Sequence, residues 1–474
     1  MKKSSMKYMR RWRAVCLIFF VCLGALFAVP PVEVQAEQAW PQGPEIVSPS
    51  AIVMEVNTGT ILYEKNSHEE NYPASITKIL TTLLAIEYCD MDETVVFSAD
   101  AVYKNEGDTS HIARDLNEEL TMEQCLYAVM LESANECAYA AAEHVGAKLE
   151  GDYSTFIELM NEKAKSLGCQ NTHFNNANGL PDPEHWTSAY DMALIGRAAY
   201  QNETFRTICG TGTYIIPPTN KHSEQTICHN HHRMLYPYQG TQDYLYDYCK
   251  GGKTGYTDAA RSTLVTFAEK NGMTLVCVVM HTGSPNQYLD TTTLFNYCFD
   301  NYQVWNIAEY ETSIADEQLD YVGLMNTNPA FVTLDTDAYI VLPVTADFSE
   351  ATFSLDKNTT DNTIAELKYT YGDQEVGRVD IVTAEVEIPQ VLFEQKQELP
   401  AEPDVRVVEV KPIVIALIVV GCIALVVLII FAIRFFDNFY VIRHNLELKK
   451  DRRERFRVNK VKKKRRRKKD RLFH

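Results

Sequence analysis

The chain has 474 residues, 46% hydrophobic and 23% charged, which allows two or three domains with substantial cores and excludes a collagen-like or wholly disordered protein. The formal net charge of −18 conceals an asymmetry: the first 13 residues carry six basic groups and no acid, and residues 434–474 carry 18 basic and 5 acidic groups, so the stretch between holds a net of −37. A body that acidic is a poor partner for nucleic acid.

In chain order, MKKSSMKYMRRWR is a basic leader, followed by AVCLIFFVCLGALFAV, an apolar run too short to span a bilayer comfortably. VQA then offers small-residue cleavage after Ala36, so residues 1–36 have the layout of a secretory signal peptide. VSPSAIVMEVNTGTILYEK, residues 47–65, places two apolar segments around Asn57-Thr58-Gly59 and predicts a β-hairpin. A helix pattern starts near Ser75 and runs through ITKILTTLLAIEY. A second, LTMEQCLYAVMLESANECAYAAAEHVGAKL, is interrupted around Glu132-Ser133. From about 155 to 205 the chain reads helical on both sides of the loop NNANGLPDPEHW. Beyond 205 the character is β, and STLVTFAEK and MTLVCVVM, joined by Asn271-Gly272, predict an antiparallel hairpin. A sheet drawn from both ends around a helical block predicts an α+β domain over residues 45–300.

Residues 310–398 read as short strands separated by turns, a small β-rich domain, and 399–411 as a linker. Residues 412–433 contain no charge; at 1.5 Å per residue they reach roughly 33 Å, enough for one C-terminal transmembrane helix. KVKKKRRRKKDR lies just beyond. Positive residues favour the inner side, so the tail 434–474 is expected to be cytoplasmic, with anionic lipid as its partner, and the body extracellular. Nine of the twelve cysteines fall in that body. The count is odd, and Cys125, Cys137 and Cys277 sit in apolar runs, so disulfides are not expected to be the main staple.

The chemistry begins at NYPASITKIL, residues 71–80. A serine hydroxyl needs a base within hydrogen-bond reach, and residues three apart share one helix face, which would stack the Lys78 amine over the Ser75 hydroxyl. Acyl transfer further requires a proton donor for the leaving group and donors for the oxyanion. Ser133-Ala134-Asn135, in the helix break, offers a hydroxyl to shuttle the proton and an amide to hold a substrate carbonyl and Lys78. Lys253-Thr254-Gly255, before a strand, offers an ammonium and a hydroxyl to grip a carboxylate, and a residue without a side chain where a peptide lies close to the backbone.

Ser-x-x-Lys, Ser-x-Asn and Lys-Thr-Gly in this order are the signature set of penicillin-binding proteins and class A β-lactamases. With PASITKILT, LESANECAYAAAEHV, FNNANGLPDPEHWTSAYDMALI and GGKTGYTDAA, the chain resembles the D-alanyl-D-alanine carboxypeptidases, the low-molecular-weight penicillin-binding proteins. The resemblance implies a β-lactamase/transpeptidase-like catalytic domain, an antiparallel sheet with a helical block, followed by a small β domain. It also implies that Ser75 attacks the carbonyl between two terminal D-alanines of a peptidoglycan stem peptide, that β-lactams inhibit the enzyme, and that no cofactor is needed. Position by position, it makes Ser75 the nucleophile and Lys78 the acylation base. Ser133 and Asn135 relay protons and position substrate, and Lys253 and Thr254 bind the terminal carboxylate. The backbone N–H groups of Ser75 and Tyr256, next to Gly255, form the oxyanion hole. The chain departs from the family at His232, where asparagine is usual, and in its full C-terminal span, where an amphipathic helix is more common.

Rival readings differ at defined points. CHNHH, residues 228–232, groups possible zinc ligands, but no second cluster accompanies it, so it reads as a polar segment lining the cleft and no metal is expected. A β-lactamase would share the nucleophile and need a glutamate-activated water; Glu184 lies in the right loop without a Glu-x-x-Leu-Asn pattern. A non-catalytic β-lactam or cell-wall sensor would keep the serine and signal through the tail.

Overall fold

The computed structural model describes residues 40–311, apart from 106 and 108, together with 332–356 and 363–383. The expected signal peptide 1–36, linker 399–411, transmembrane helix 412–433 and tail 434–474 lie outside them, as does part of the expected 310–398 domain. Among the described residues no helix is long and apolar enough to cross a membrane.

The hairpin around Asn57-Thr58-Gly59 forms from β1 (Ser50–Glu55) and β2 (Ile61–Lys65). The chain then passes through a 3₁₀ turn, Ala74–Thr77, into α1 (Lys78–Tyr88). Every residue of α1 from Lys78 to Ala85 is buried, and two of its polar members, Lys78 and Thr81, are matched inside the core by hydrogen bonds to Asn135 Oδ1, the Asn178 carbonyl and the Ala177 carbonyl. The start differs from the simple helix expected there. Ser75 is in the 3₁₀ turn, and Ala74 before it has φ 53°, a left-handed conformation that costs a non-glycine residue about 1–2 kcal/mol.

A short ribbon of β3 (Thr94–Val96) and β4 (Glu119–Thr121) brackets α2 (Ala99–Tyr103). The region 120–149 then divides into α3 (Met122–Tyr127), opened by a Thr121–Gln124 capping box, and α4 (Asn135–Lys148). The break between them is a π-helical turn, Ala128–Glu132, closed by Ser133 at φ 61°. Then come α5 (Tyr153–Ser166), α6 (Ala189–Gln201), α7 (Glu203–Gly210) and a small hairpin of β5 (Thr213–Ile216) with β6 (Thr226–His229). β7 (Cys249–Thr257), β8 (Arg261–Lys270) and β9 (Met273–Thr282) return to the main sheet before α8 (Asn286–Asn301).

The main sheet has five antiparallel strands in the order β2-β1-β9-β8-β7, so the first hairpin and the last three strands meet between β1 and β9. Both faces are buried. Ile52, Met54, Val265, Phe267, Val276 and Val278 pack against the helical block. Ala51, Val53, Leu264, Leu275, Cys277 and Val279 pack against Leu294 and Phe295 of α8. Two-sided burial explains the near-continuous apolar runs of β8 and β9, and each fully buried Val, Ile or Phe contributes about 1.5–3 kcal/mol. The arrangement is the α+β domain anticipated from the sequence.

Past it, β10 (Tyr302–Asn306) falls between the two expected domains and leads into α9 (Ile307–Tyr310). β10 pairs with β12 (Tyr339–Pro343), while β11 (Val332–Leu334), β13 (Thr352–Asp356), β14 (Thr363–Tyr371) and β15 (Gln374–Thr383) form a sheet in the order β11-β15-β14-β13. Ile307, Ile340, Leu342, Leu367, Tyr369, Val376 and Ile381 make a separate small core.

Candidate active site

The turn and helix that follow Pro73 bring Ser75 and Lys78 together: Lys78 Nζ lies 3.0 Å from Ser75 Oγ. The same Nζ donates to Asn135 Oδ1 at 2.7 Å, from the first turn of α4, and to the Asn178 carbonyl at 2.6 Å, from the loop before α6. Lys78 is fully buried, and burial, reinforced by the neighbouring Lys253 ammonium, holds its pKa well below the usual lysine value. The two short contacts are to pure acceptors. A neutral amine has two N–H groups and one lone pair, so those two oxygens consume the N–H groups and the lone pair faces the Ser75 hydroxyl. The arrangement suits a base.

β7 forms the opposite wall. It is an edge strand, so alternate backbone groups face away from β8. A Cβ placed on Gly255 would lie 2.9 Å from the Ser75 backbone nitrogen and 3.1 Å from the Pro73 carbonyl oxygen. Only glycine lets strand and nucleophile come this close. Thr263 Oγ1, across the ladder from Gly255, donates to that Pro73 carbonyl at 2.8 Å and ties the turn to the sheet. Lys253 is buried, donates to the Thr254 carbonyl at 3.0 Å, and is pushed down to about 7 by burial. Thr254 is half-buried. Tyr256 is 62% exposed, with its hydroxyl 3.2 Å from Asp258 Oδ1.

Ser133 is held in its left-handed conformation at the end of the π turn, and its buried Oγ has no hydrogen-bond partner among the described residues. A buried, unsatisfied hydroxyl is rare and asks for an explanation. A group waiting for substrate supplies one. Glu132, just before it, accepts from the His229 backbone N–H at 2.6 Å and faces His231 Nε2 at 2.9 Å.

The CHNHH segment therefore disperses: Cys228 is a buried free thiol, His231 faces Glu132, and His232 Nε2 lies 3.0 Å from Thr266 Oγ1 beneath Gly252. His232 supports the strand from below and does not line the cleft, a correction to the sequence reading. The structure also adds a group that side-chain motifs cannot announce, the backbone carbonyl of Asn178. Its loop is fixed by Asn178 Nδ2 donating to Asn105 Oδ1 at 2.6 Å and by Thr81 Oγ1 donating to the Ala177 carbonyl at 2.6 Å. Among the described residues, Cys89, Glu93 and His144 form one possible ligand group and Asp115, Glu118 and His222 another. In each the glutamate already holds a cation, Lys148 or Arg114.

A serine and a buried lysine on a helical turn, facing an edge strand that carries Lys-Thr-Gly, define a serine acyl-transfer enzyme with a transpeptidase- and β-lactamase-like α+β fold. Residues 35–284 match the family model described as D-alanyl-D-alanine carboxypeptidase, and the chain belongs to that family of serine hydrolases. It is 32% identical over 272 residues to the D-alanyl-D-alanine carboxypeptidase DacF of Bacillus subtilis, covering 56% of this chain and 66% of that protein. It is 28% identical over 325 residues to the D-alanyl-D-alanine carboxypeptidase DacA of Haemophilus influenzae, covering 66% of this chain and 76% of that one. The crystal structure of the D-alanyl-D-alanine carboxypeptidase DacD from Francisella tularensis shares the fold, with a TM-score of 0.53 at 23% identity over 72% of this chain and 94% of that one.

Proposed function

We propose that the chain removes the terminal D-alanine from peptidoglycan stem pentapeptides through an acyl-enzyme on Ser75, and that β-lactams block it by acylating the same hydroxyl. Neutral Lys78 takes the Ser75 proton as Oγ attacks the carbonyl carbon of the penultimate D-alanine. The carbonyl oxygen becomes an oxyanion between the N–H groups of Ser75 and Tyr256. The C–N bond then breaks, the nitrogen takes a proton passed from Lys78 through Ser133, and D-alanine leaves. Water attacks the remaining ester and gives one proton to Lys78, which returns it to the Ser75 oxygen as the C–O bond to the acyl group breaks; the shortened peptide leaves as a carboxylate, its remaining acid proton passing to solvent. Lys253 and Thr254 hold the carboxylate of the departing residue, and Asn135 holds both Lys78 and a substrate carbonyl.

The observation that supports this reading is the Lys78 amine at 3.0 Å from Ser75 Oγ with its other two contacts already filled. The test is release of free D-alanine from a pentapeptide by the full chain in detergent, wild type against Ser75→Ala, with penicillin trapping in parallel. Wild-type release that the variant lacks is the expected outcome. Equal release by the variant removes Ser75 from the mechanism. Trapping without release would indicate a sensor, and nitrocefin turnover at enzymatic rates a β-lactamase.

We also propose that the catalytic domain stands outside the cell membrane, anchored by residues 412–433, with the basic tail against anionic inner-leaflet lipid and the β domain as a spacer. This rests on the leader, the charge-free run and the cationic cluster in the sequence. Protease added to intact cells should then remove the body and leave the tail protected; a protected body would contradict it.

A further inference from the structure

One group from the loop before α6 reaches toward the nucleophile without touching the cleft. The backbone N–H of Asn175 donates to His185 Nδ1 at 2.9 Å, so in the neutral ring the proton sits on Nε2. Nε2 lies 2.9 Å from Thr77 Oγ1, and with Nε2 as donor the Thr77 hydroxyl is free to donate onward, to the Ala74 carbonyl at 2.9 Å. Burial drives the His185 pKa down to about 3, so the ring stays neutral and the direction of the chain is fixed. His185, Thr77 and Ala74 are all buried.

The end of this chain matters because of what shares its peptide plane. The Ala74 carbonyl and the Ser75 N–H belong to one planar trans peptide and point in opposite directions. Pulling the carbonyl toward Thr77 turns the N–H the other way. The loop fixes the same plane a second time: Gly179, at φ 82°, comes so close that a Cβ there would meet the Ala74 oxygen at 1.9 Å and the Ser75 nitrogen at 3.0 Å. A hydrogen bond on the carbonyl also polarises the peptide and strengthens its N–H as a donor.

We propose that His185 and Thr77 are positioning residues that aim and polarise the Ser75 N–H toward the oxyanion. The inference rests on the acyl-enzyme reading above and adds two residues to which the three catalytic motifs assign no role. The relay also explains why Ala74 is held in a left-handed conformation just before the nucleophile.

The two ring nitrogens can be tested separately. An asparagine amide reaches the Nδ1 position and not the Nε2 position, whereas a glutamine amide reaches the Nε2 position. His185→Asn therefore keeps the acceptor for the loop and loses the donor to Thr77, while His185→Gln restores that donor. Thr77→Val removes the relaying hydroxyl and Thr77→Ser keeps it. Each full-length variant in detergent is assayed for the rate of acylation by a fluorescent penicillin, for the number of sites acylated at completion, and for affinity toward a substrate-like boronic acid that forms a tetrahedral anion on the serine. His185→Asn and Thr77→Val should acylate about 10²-fold more slowly and lose boronate affinity in proportion, with the number of sites unchanged. His185→Gln and Thr77→Ser should stay near wild type. Equal rates for the Asn and Gln variants, or slower acylation with boronate affinity intact, would overturn the proposal. A wild type that penicillin fails to acylate would overturn the functional reading along with it.

Discussion

Replacing Gly255 with alanine isolates the contact between strand and nucleophile. Gly255 does not require a positive φ, so alanine fits the backbone there and the effect is steric alone. The new Cβ would lie 2.4 Å from Thr263 Oγ1, 2.9 Å from the Ser75 nitrogen and 3.1 Å from the Pro73 oxygen, where ordinary contacts begin at 3.4 Å. Relief needs roughly 0.5–1 Å of separation between β7 and the serine turn, because Thr263 is held by its bond to Pro73 and cannot swing aside cheaply. Overpacking of this kind costs about 1–3 kcal/mol of stability, a drop of several degrees in Tm. A misplacement approaching 1 Å at the reacting groups costs about 10²-fold in rate, or about 2.7 kcal/mol of barrier. Acylation by a fluorescent penicillin, measured beside thermal unfolding, should show both losses. Acylation within a few-fold of wild type would refute the claim that β7 and Ser75 form one reacting surface.

Other consequences can be checked alongside. The pH profile of kcat/KM should be bell-shaped. On the acid side activity rises as Lys78 loses its proton, and on the alkaline side it falls from near pH 7 as the Lys253 ammonium that binds carboxylate is discharged. A bound carboxylate favours the charged lysine, so the alkaline limb of kcat should lie higher, and Lys253→Arg should move the limb of kcat/KM upward; a limb unmoved by Lys253→Arg assigns it elsewhere. Ser133→Ala should leave stability unchanged, since its Oγ has no partner among the described residues, yet slow turnover by about 10²–10⁴-fold, as judged by D-alanine release; unchanged turnover would exclude Ser133 from the proton path. Arg114→Met should cost about 1–3 kcal/mol in urea unfolding, because it removes the cation that Arg114 Nη1 holds 2.7 Å from the buried Glu118 carboxylate and leaves that group to the Asp115 N–H, the Thr219 hydroxyl and His222; a loss below about 0.5 kcal/mol would mean that the ion pair adds nothing to those contacts.

Much of this site was legible because its parts are side chains at fixed spacings. Ser75 and Lys78 are neighbours by local geometry, and Asn271-Gly272 and Asn57-Thr58-Gly59 mark their hairpins by turn chemistry. What stayed hidden depends on distant chain segments or on the backbone. The left-handed Ala74 and Ser133 are set by tertiary packing, since neither residue type favours that conformation. The Asn178 carbonyl has no side-chain signature. His232 appeared to line the cleft because it is polar, but packing turned it under Gly252. β10 escaped notice because its partner, β12, lies some thirty residues further along the chain. The cysteines followed the apolar pattern: all nine among the described residues are free, and eight of those nine are buried.

The most direct test is to treat the full chain with penicillin, digest it, and map the adduct by mass spectrometry. The account predicts one penicilloyl group, carried by Ser75 in the peptide that contains Lys78, and its loss in both Ser75→Ala and Lys78→Ala. An adduct on any other serine, or undiminished labelling when Lys78 is removed, would contradict it.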